Sequence, residues 1–327
     1  MPDTEPLIVV RDLERTFDVR RRVEGRRRRV RDTVRAVHDL DLTVERGEMV
    51  GYIGPNGAGK STTIKMLTGI LVPSGGSVRV AGLDPSRDRV ALARRIGVVF
   101  GQRSTLWWDL PLRDSFDILA AIHRIAPPRA ADRFDELADR LQLGDFLNTP
   151  VRQLSLGQRM RAELAAALLH EPRIIILDEP TIGLDVVSKE RLRQFLSQER
   201  ADHGTTLLLT THDMGDIERL CDRVMVVDRG RCVHDGALAD LAALVPTERI
   251  LVVDLAQPHA PLADIPNTRL ADCDQTGVRQ TFAFSPAATT AAEVLAVVSA
   301  RAAVRDLTIE EPTIESIVRR LYEAQGA

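Results

Sequence analysis

Short apolar runs alternate with stretches of helical periodicity along most of the chain, the arrangement expected of an α/β domain. Met49 to Ile53 predicts a strand ending in a glycine-rich turn, and Lys60 to Gly69 predicts the helix that follows. Ile174 to Leu177 is a continuous apolar run, the pattern of a parallel strand buried on both faces. Leu207 to Thr211 and Val224 to Asp228 predict two more strands, and Asp228-Arg229-Gly230-Arg231 turns the chain back into Cys232-Val233-His234. Two early strands fall near Leu7 to Val10 and Val34 to Val44. Between Gln102 and Arg152 the pattern is mainly helical, which predicts a helical subdomain interrupting the sheet.

After Asp235-Gly236 the composition changes. Ala237 to Leu244 reads as a linking helix, Arg249 to Leu255, Arg279 to Phe284 and Val304 to Ile309 as strands, and Thr290 to Arg301 as a helix. Pro312 opens a last helix, since proline is tolerated in a first turn. The expected division is a core over residues 1–236 and an α+β accessory domain over residues 237–327. Within the core, the helical subdomain spans about 103–160 and an arginine-rich loop insertion residues 20–31.

Composition narrows the class. The chain has 327 residues, 44% hydrophobic and 28% charged, as in a globular protein and unlike a disordered one. A formal net charge of -3 gives no whole-protein attraction to nucleic acid. No apolar run reaches the length needed to span a bilayer, and Met1-Pro2-Asp3-Thr4-Glu5 is not a basic, apolar secretion signal. Cys221, Cys232 and Cys273 lack metal-ligand spacing and read as reduced thiols of a cytosolic protein. One segment departs from this background: Arg20-Arg21-Arg22-Val23-Glu24-Gly25-Arg26-Arg27-Arg28-Arg29. Two readings stand for it, a solvated loop, or a basic finger touching anionic lipid headgroups or an acidic partner. Nucleic acid is the weaker partner because no aromatics interleave with the arginines.

Three segments carry chemistry. Gly54-Pro55-Asn56-Gly57-Ala58-Gly59-Lys60-Ser61 follows a strand and opens a helix, matching the phosphate-binding loop G-x-x-x-x-G-K-S. Glycines let backbone N–H groups wrap phosphates, and the helix N-terminus adds its positive end. Lys60 is expected to reach the β- and γ-phosphates and Ser61 to ligate Mg²⁺. Ile174-Ile175-Ile176-Leu177-Asp178-Glu179 brings two carboxylates to the end of a buried strand, where α/β proteins place ligands. Asp178 suits Mg²⁺ through a water, and Glu179 is placed to orient or deprotonate an attacking water. Leu154-Ser155-Leu156-Gly157-Gln158-Arg159 opens a helix whose N-terminus would face an anion.

Together, and in this order, the three segments make the chain resemble the nucleotide-binding subunits of ATP-binding cassette (ABC) transporters, from about Leu7 to Gly236. The signature of that family is Leu-Ser-Gly-Gly-Gln, and here Leu156 stands in place of the first glycine while Ser155, Gly157 and Gln158 keep register. The resemblance implies a P-loop NTPase core of α/β class with a helical subdomain, plus the small α+β C-terminal domain. It implies ATP and Mg²⁺ as cofactors, with Thr62 joining Gly54 to Ser61 at the nucleotide. It further implies that Phe17 stacks on adenine, Gln102 reaches Mg²⁺ and the reactive water, and His212 contacts the γ-phosphate. Leu184-Asp185 matches the loop that crosses between paired subunits. In the family two subunits face head to tail, so that the Ser155 segment of one completes the ATP site of the other. Trp107 and Trp108 fall where a membrane subunit docks in the family, and burial in the helical subdomain is the competing reading.

The resemblance points further to an exporter of the drug- and sodium-efflux branch, whose ABC-2-type permeases are separate chains, with an importer as the competing reading within the family. The tail Asp306 to Glu315 resembles an extension found there. The expected partners are therefore membrane permease subunits and a second nucleotide-binding subunit, identical or paralogous, with no nucleic acid. The expected location is cytoplasmic, peripheral on the inner face of the cell membrane. The alternative is a soluble ATPase of the same superfamily acting on ribosome or DNA. Against it stand the single cassette and the short interval between Ser61 and Ser155, without sustained heptads.

Overall fold

The computed structural model describes residues 5–22, 29–101, 104–241, 248–310 and 314–326. The chain divides into two units, Met1–Ala237 and Leu238–Ala327.

The first unit is built on two sheets. β1 (Ile8–Arg22), β2 (Arg29–Val44) and β4 (Gly75–Val80) form an antiparallel sheet in the order β2-β1-β4. Between β2 and β4 lie β3 (Met49–Ile53) and the helix α1 (Lys60–Leu67). α2 (Arg89–Ala93) then leads to β5 (Ile96–Phe100), followed by the helices α3 (Leu112–His123), α4 (Pro127–Arg140) and α5 (Leu156–Leu168). β6 (Ile174–Asp178), α6 (Val186–His203), β7 (Thr206–Thr210), α7 (Met214–Leu220), β8 (Arg223–Asp228) and β9 (Arg231–Ala237) complete the unit. The second sheet runs β5-β6-β7-β3-β8-β9, parallel except where β9 returns against β8.

Parallel strands covered on both faces need apolar side chains on both, and β3 and β7 are buried along their whole lengths. α1 lies against this sheet, and the antiparallel sheet closes over it. Ile8, Val10 and Leu42 share one core cluster with Ile64, Leu67 and Ile176. Local signals agree with these boundaries. Pro127 opens α4, Asp185 caps α6 at its start, and Gly204, at φ 63°, ends α6 in the left-handed conformation that glycine tolerates.

In the second unit α8 (Leu238–Leu241) precedes β10 (Arg249–Leu255), β11 (Thr268–Cys273), β12 (Arg279–Phe284), α9 (Ala291–Arg301), β13 (Val304–Glu310) and α10 (Ile314–Gly326). The four strands form an antiparallel sheet, β11-β12-β10-β13, packed on α9 through Leu251, Val253, Phe282, Phe284, Val294 and Val298. Thr290 and Glu293 form a capping box at the start of α9.

Several sequence expectations change. The arginine-rich stretch is not wholly a loop, because β1 continues to Arg22 and β2 begins at Arg29, paired as Arg20↔Arg31, Arg21↔Val30 and Arg22↔Arg29. Consecutive charged residues show no alternation, so the strands leave no periodic trace there. β4, which opens on Gly75-Gly76, and β11, with few apolar residues, also escape the pattern. Ala237 closes β9 rather than opening a helix; α8 begins at Leu238, and residues 242–247 and Pro312 lie outside the described residues.

The helical segment α4 is tied to α6 by a buried ion-pair cluster. Arg133, 5% exposed, donates to Glu199, 3% exposed, at 3.1 Å, and Arg140 donates to the other Glu199 oxygen at 2.9 Å. Removing Glu199 takes away the buried partner of the Arg133 guanidinium and leaves it only the partly exposed Glu136 at 2.7 Å, so Glu199→Ala is expected to destabilise the protein by about 3 kcal/mol in urea unfolding. A loss below about 1 kcal/mol, the size of a surface pair, would show that the cluster is solvent-screened.

Candidate functional site

The loop between β3 and α1 is shaped by what surrounds it. Gly57 and Gly59 take φ of 86° and 98°, a region that favours glycine. A Cβ on Gly54 would stand 2.4 Å from the Val227 carbonyl oxygen, and one on Gly59 2.5 Å from that of Ala36. Glycine is therefore required at both positions by β8 and β2 behind the loop. At Gly57, by contrast, a Cβ would meet nothing within 4 Å, so this side of the loop is open to a ligand. α1 has no side-chain cap and no acidic residue in its first turn, leaving its N–H groups and positive end for an anion. Lys60 folds back across the loop, its Nζ donating to Gly54 O at 2.6 Å and Pro55 O at 3.2 Å. Burial lowers the Lys60 pKa, while Glu179 and Asp178 pull it back up. That attraction places the two carboxylates within electrostatic reach of the lysine.

Both acids come from the carboxyl end of β6, where Asp178 is in register with Phe100 of β5 and Thr210 of β7. The Thr210 hydroxyl donates to Asp178 Oδ1. Glu179 then takes φ 57°, uncommon for a residue with a side chain. The turn is held by the Glu179 N–H donating to Thr210 O at 2.9 Å. Gly101 fits beneath it, since a Cβ there would lie 2.7 Å from the Glu179 carbonyl. His212 meets Glu179 through Nδ1 at 2.6 Å from Oε2, and its backbone N–H donates to the same oxygen at 3.3 Å. Both contacts fall on Oε2, which leaves Oε1 for a water.

The loop, the acids and the histidine line one cleft of about 650 Å³, with Asn56, Lys60 and Ser61 on one side and Asp178, Glu179 and His212 on the other. Among the described residues no group of three or more His, Cys, Asp or Glu could by itself hold a metal. A hard cation that takes oxygen ligands and retains water would still find a carboxylate in Asp178 and a hydroxyl in Ser61 on this cleft, with phosphates supplying the remainder.

The other sequence candidates lie elsewhere. Ser155, exposed, caps α5 in a reciprocal box: Gln158 N–H donates to Ser155 Oγ at 3.2 Å, and Ser155 N–H donates to Gln158 Oε1 at 2.8 Å. Leu156 rests on the following loop, where a Cβ on Gly183 would come within 2.7 Å of Leu156 Cδ2. A Cβ on Gly157 would approach Ser188 Oγ at 3.0 Å. Asp185 caps α6, accepting from Ser188 N at 2.9 Å and Ser188 Oγ at 2.7 Å. Ser155 and Asp185 are exposed, Leu156, Gly157 and Gln158 half-buried beside them, and none of the five lines the cleft of their own chain. Phe17 pairs in register with Val34, two residues before Ala36 at the phosphate loop, and the Arg15 guanidinium covers its ring at 4.6 Å. Trp107 is half-buried and Trp108 exposed, with the Arg159 guanidinium 5.6 Å from the Trp108 ring. Gln102 lies outside the described residues.

Sequence reasoning missed the support beneath Glu179 and His212. Asp216, fully buried, accepts from Arg193 Nε at 2.7 Å, from the Thr181 hydroxyl at 2.5 Å and from the Thr211 hydroxyl at 3.2 Å. Thr181 lies two residues after Glu179 and Thr211 precedes His212, so one carboxylate holds both loops. In the sequence Asp216 is only an acid in a helix's first turn, and nothing marks it as their hub.

Comparison with known proteins agrees with this fold. The family described as ABC transporter matches residues 37–182. The ABC transporter ATP-binding protein NatA of Bacillus subtilis is 33% identical over 235 residues, 72% of this chain and 91% of that protein. The Nod factor export ATP-binding protein I of Cupriavidus pinatubonensis is 39% identical over 216 residues, 66% of this chain and 65% of that protein. Among solved structures, a dimeric ATP-binding cassette in a post-hydrolysis state, bound to ADP and Pi, is similar with a TM-score of 0.61 and 25% identity. It covers 71% of this chain and 98% of its own.

A methyl group at Gly59 would combine a strained φ with a backbone clash, both at the loop that faces the ligand. Gly59→Ala is expected to weaken ATP binding at least about tenfold, roughly 1.4 kcal/mol, in a fluorescent-nucleotide titration. Wild-type affinity in that variant would contradict the crowding argument.

Proposed function

The chain belongs to the ATP-binding subunits of ABC transporters, and on that premise we propose that it powers an exporter by closing on ATP together with a second nucleotide-binding subunit. It is an ATPase. The observation that carries the two-subunit reading is the division of the motif residues between two surfaces: the phosphate cleft on one, the Ser155 and Asp185 caps on another. One chain cannot bring both to the same phosphate. A second copy, or a paralogue, turned head to tail can.

In this reading Gly54 to Thr62 cradle the triphosphate with backbone N–H groups, and Lys60 leaves the Gly54 and Pro55 carbonyls for the β- and γ-phosphates. Phe17 stacks on adenine with the face that Arg15 leaves open. Ser61, Gln102 and, through a water, Asp178 would hold Mg²⁺, which when bound would supply positive charge to the phosphate oxygens. Glu179 accepts a proton from the attacking water at Oε1, while His212 fixes Oε2 and presents the rest of its ring to the γ-phosphate. Ser155, Gly157 and Gln158 of the other subunit bring the α5 N-terminus to the same phosphate, and Asp185 crosses beside it. The γ-phosphate then makes contacts available only in the closed pair, and hydrolysis removes them, as a nucleotide-driven switch requires.

The Nod factor relative is named for export. That name and the C-terminal extension support export through separate ABC-2-type permease chains. Among the described residues no helix is long and apolar enough to cross a membrane. In this reading the subunit works on the cytoplasmic face, held there through the permease.

Glu179→Gln preserves shape while removing the base. ATP turnover should fall at least about a hundredfold, with ATP binding retained and a dimer persisting in gel filtration with ATP. Unchanged steady-state turnover would remove Glu179 from the reaction.

A further inference from the structure

The chemistry of the cleft lies in the first unit. In the second, the sheet order β11-β12-β10-β13 leaves β13 paired with β10 alone among the described residues. Every residue of β13 from Arg305 to Glu310 is exposed. An end strand of this kind presents a row of unpaired N–H and C=O groups, which natural proteins often blunt with prolines or bulges. β13 contains no proline, and its one irregularity, an extra residue at Arg305, lies near its start.

The ladder shows which groups point outward. Leu255 N–H donates to Val278 O on the β12 side of β10 at 2.8 Å. Alternation along β10 then turns the main-chain groups of Ile250, Val252 and Asp254 towards β13, where they meet Glu310, Thr308 and Asp306. Those of Leu307 and Ile309 therefore point away from the sheet. Leu307 N–H agrees with this, for it donates to the Asp306 side chain at 2.8 Å. Directly opposed side chains share a face, so Leu307 and Ile309 stand beside Val253 and Leu251, both fully buried in the core under α9. Leu307 is nevertheless 38% exposed and Ile309 45%. They form an uncovered apolar margin of that core.

We propose that β13 is a self-association edge, which pairs antiparallel with β13 of a second copy of this chain about a two-fold axis at Leu307. The choice of occupant comes from charge. Because opposed side chains share a face, the axis must pass through a residue of the strand and not between two. An axis at Asp306 would set that carboxylate against its own copy, and one at Thr308 would set Asp306 against Glu310. Parallel pairing in register would align every charge with its copy. An axis at Leu307 alone pairs the whole strand with no like charges directly opposite: Arg305 meets Ile309, Asp306 meets Thr308 and Val304 meets Glu310. The strand is thus complementary to itself in one register. There Leu307 N–H gives up the Asp306 side chain for the carbonyl of its copy, and Asp306 gains the Thr308 hydroxyl opposite. The two apolar margins meet at the axis and cover each other. This contact needs no nucleotide and is distinct from closure on ATP.

The test is sedimentation velocity of the full chain without nucleotide, at concentrations up to about 100 µM, since a contact this small belongs to the weak class. Wild type should pass from monomer to dimer as concentration rises. Leu307→Lys, which sets two lysines face to face, should weaken dimerisation at least about tenfold, whereas Leu307→Val should keep it. Leu307→Cys should cross-link chain to chain under mild oxidation, and Ile309→Cys, which faces Arg305, should stay at the wild-type baseline. Combined with Glu179→Gln, Leu307→Lys should give a monomer without ATP and a dimer with it, which keeps failure of this contact apart from failure of the ATP-driven pair. A wild-type chain that stays monomeric without nucleotide, a dimer that survives Leu307→Lys, or growth beyond the dimer, as β13 pairing with β11 of the next copy would give, would each overturn the proposal.

Discussion

The carboxyl-end register of three neighbouring strands determines everything that follows at the nucleotide. β6 brings Asp178 level with Thr210 of β7, and β7 lies beside β3, whose end becomes the phosphate loop. A side-chain period of two means that a slip of one residue would turn Asp178 away from Thr210 and carry Glu179 out of the cleft. The register is secured by burial: Ile174, Ile176, Leu208 and Leu209 are essentially inaccessible, and their apolar runs have no alternative pairing that keeps them dry. Stability of the core and placement of the chemistry are therefore the same set of contacts.

Around that register the structure places polar groups whose main effect is positional. Asp216 costs desolvation as a buried carboxylate, and its bonds to Arg193, Thr181 and Thr211 offset that cost while holding the loops of Glu179 and His212. Glu199 has a comparable role between α4 and α6. The second cluster connects the helical segment that carries α5 to the helix that begins at Asp185. Leu156, placed on Gly183, adds an apolar contact where those two helix starts meet. A leucine where the family signature has glycine thus packs close against Gly183 in this chain and leaves the Ser155 cap intact.

What could be read in the sequence was what lies close together in it. Gly54 to Ser61 is contiguous, and each residue type answers a local demand for positive φ, close backbone approach or charge. Asp178 and Glu179 were visible because an unbroken apolar run pointed to them. The roles of Ser155 and Asp185 come from the resemblance, and their capping of α5 and α6 from the structure. Asp216, Thr210, Arg133 and Glu199 were not legible, because their partners lie dozens of residues away and no periodicity records a long-range ion pair. The strand character of Arg20 to Arg22 was hidden for a different reason. Alternation marks a strand only when one face is buried, and a ribbon without a third strand has little to bury.

The central claim is that one ATP site is assembled from two chains. The most direct measurement mixes two inactive variants, Lys60→Ala, which disables the phosphate loop, and Ser155→Arg, which blocks the α5 cap. A pair formed from one of each retains one site in which an intact loop faces an intact cap. ATP turnover should therefore return on mixing, although neither variant turns over alone. If the wild-type chain alone turns over ATP and the mixture stays as inactive as its parts, the cleft and the cap do not meet across a subunit boundary, and the two-chain account fails.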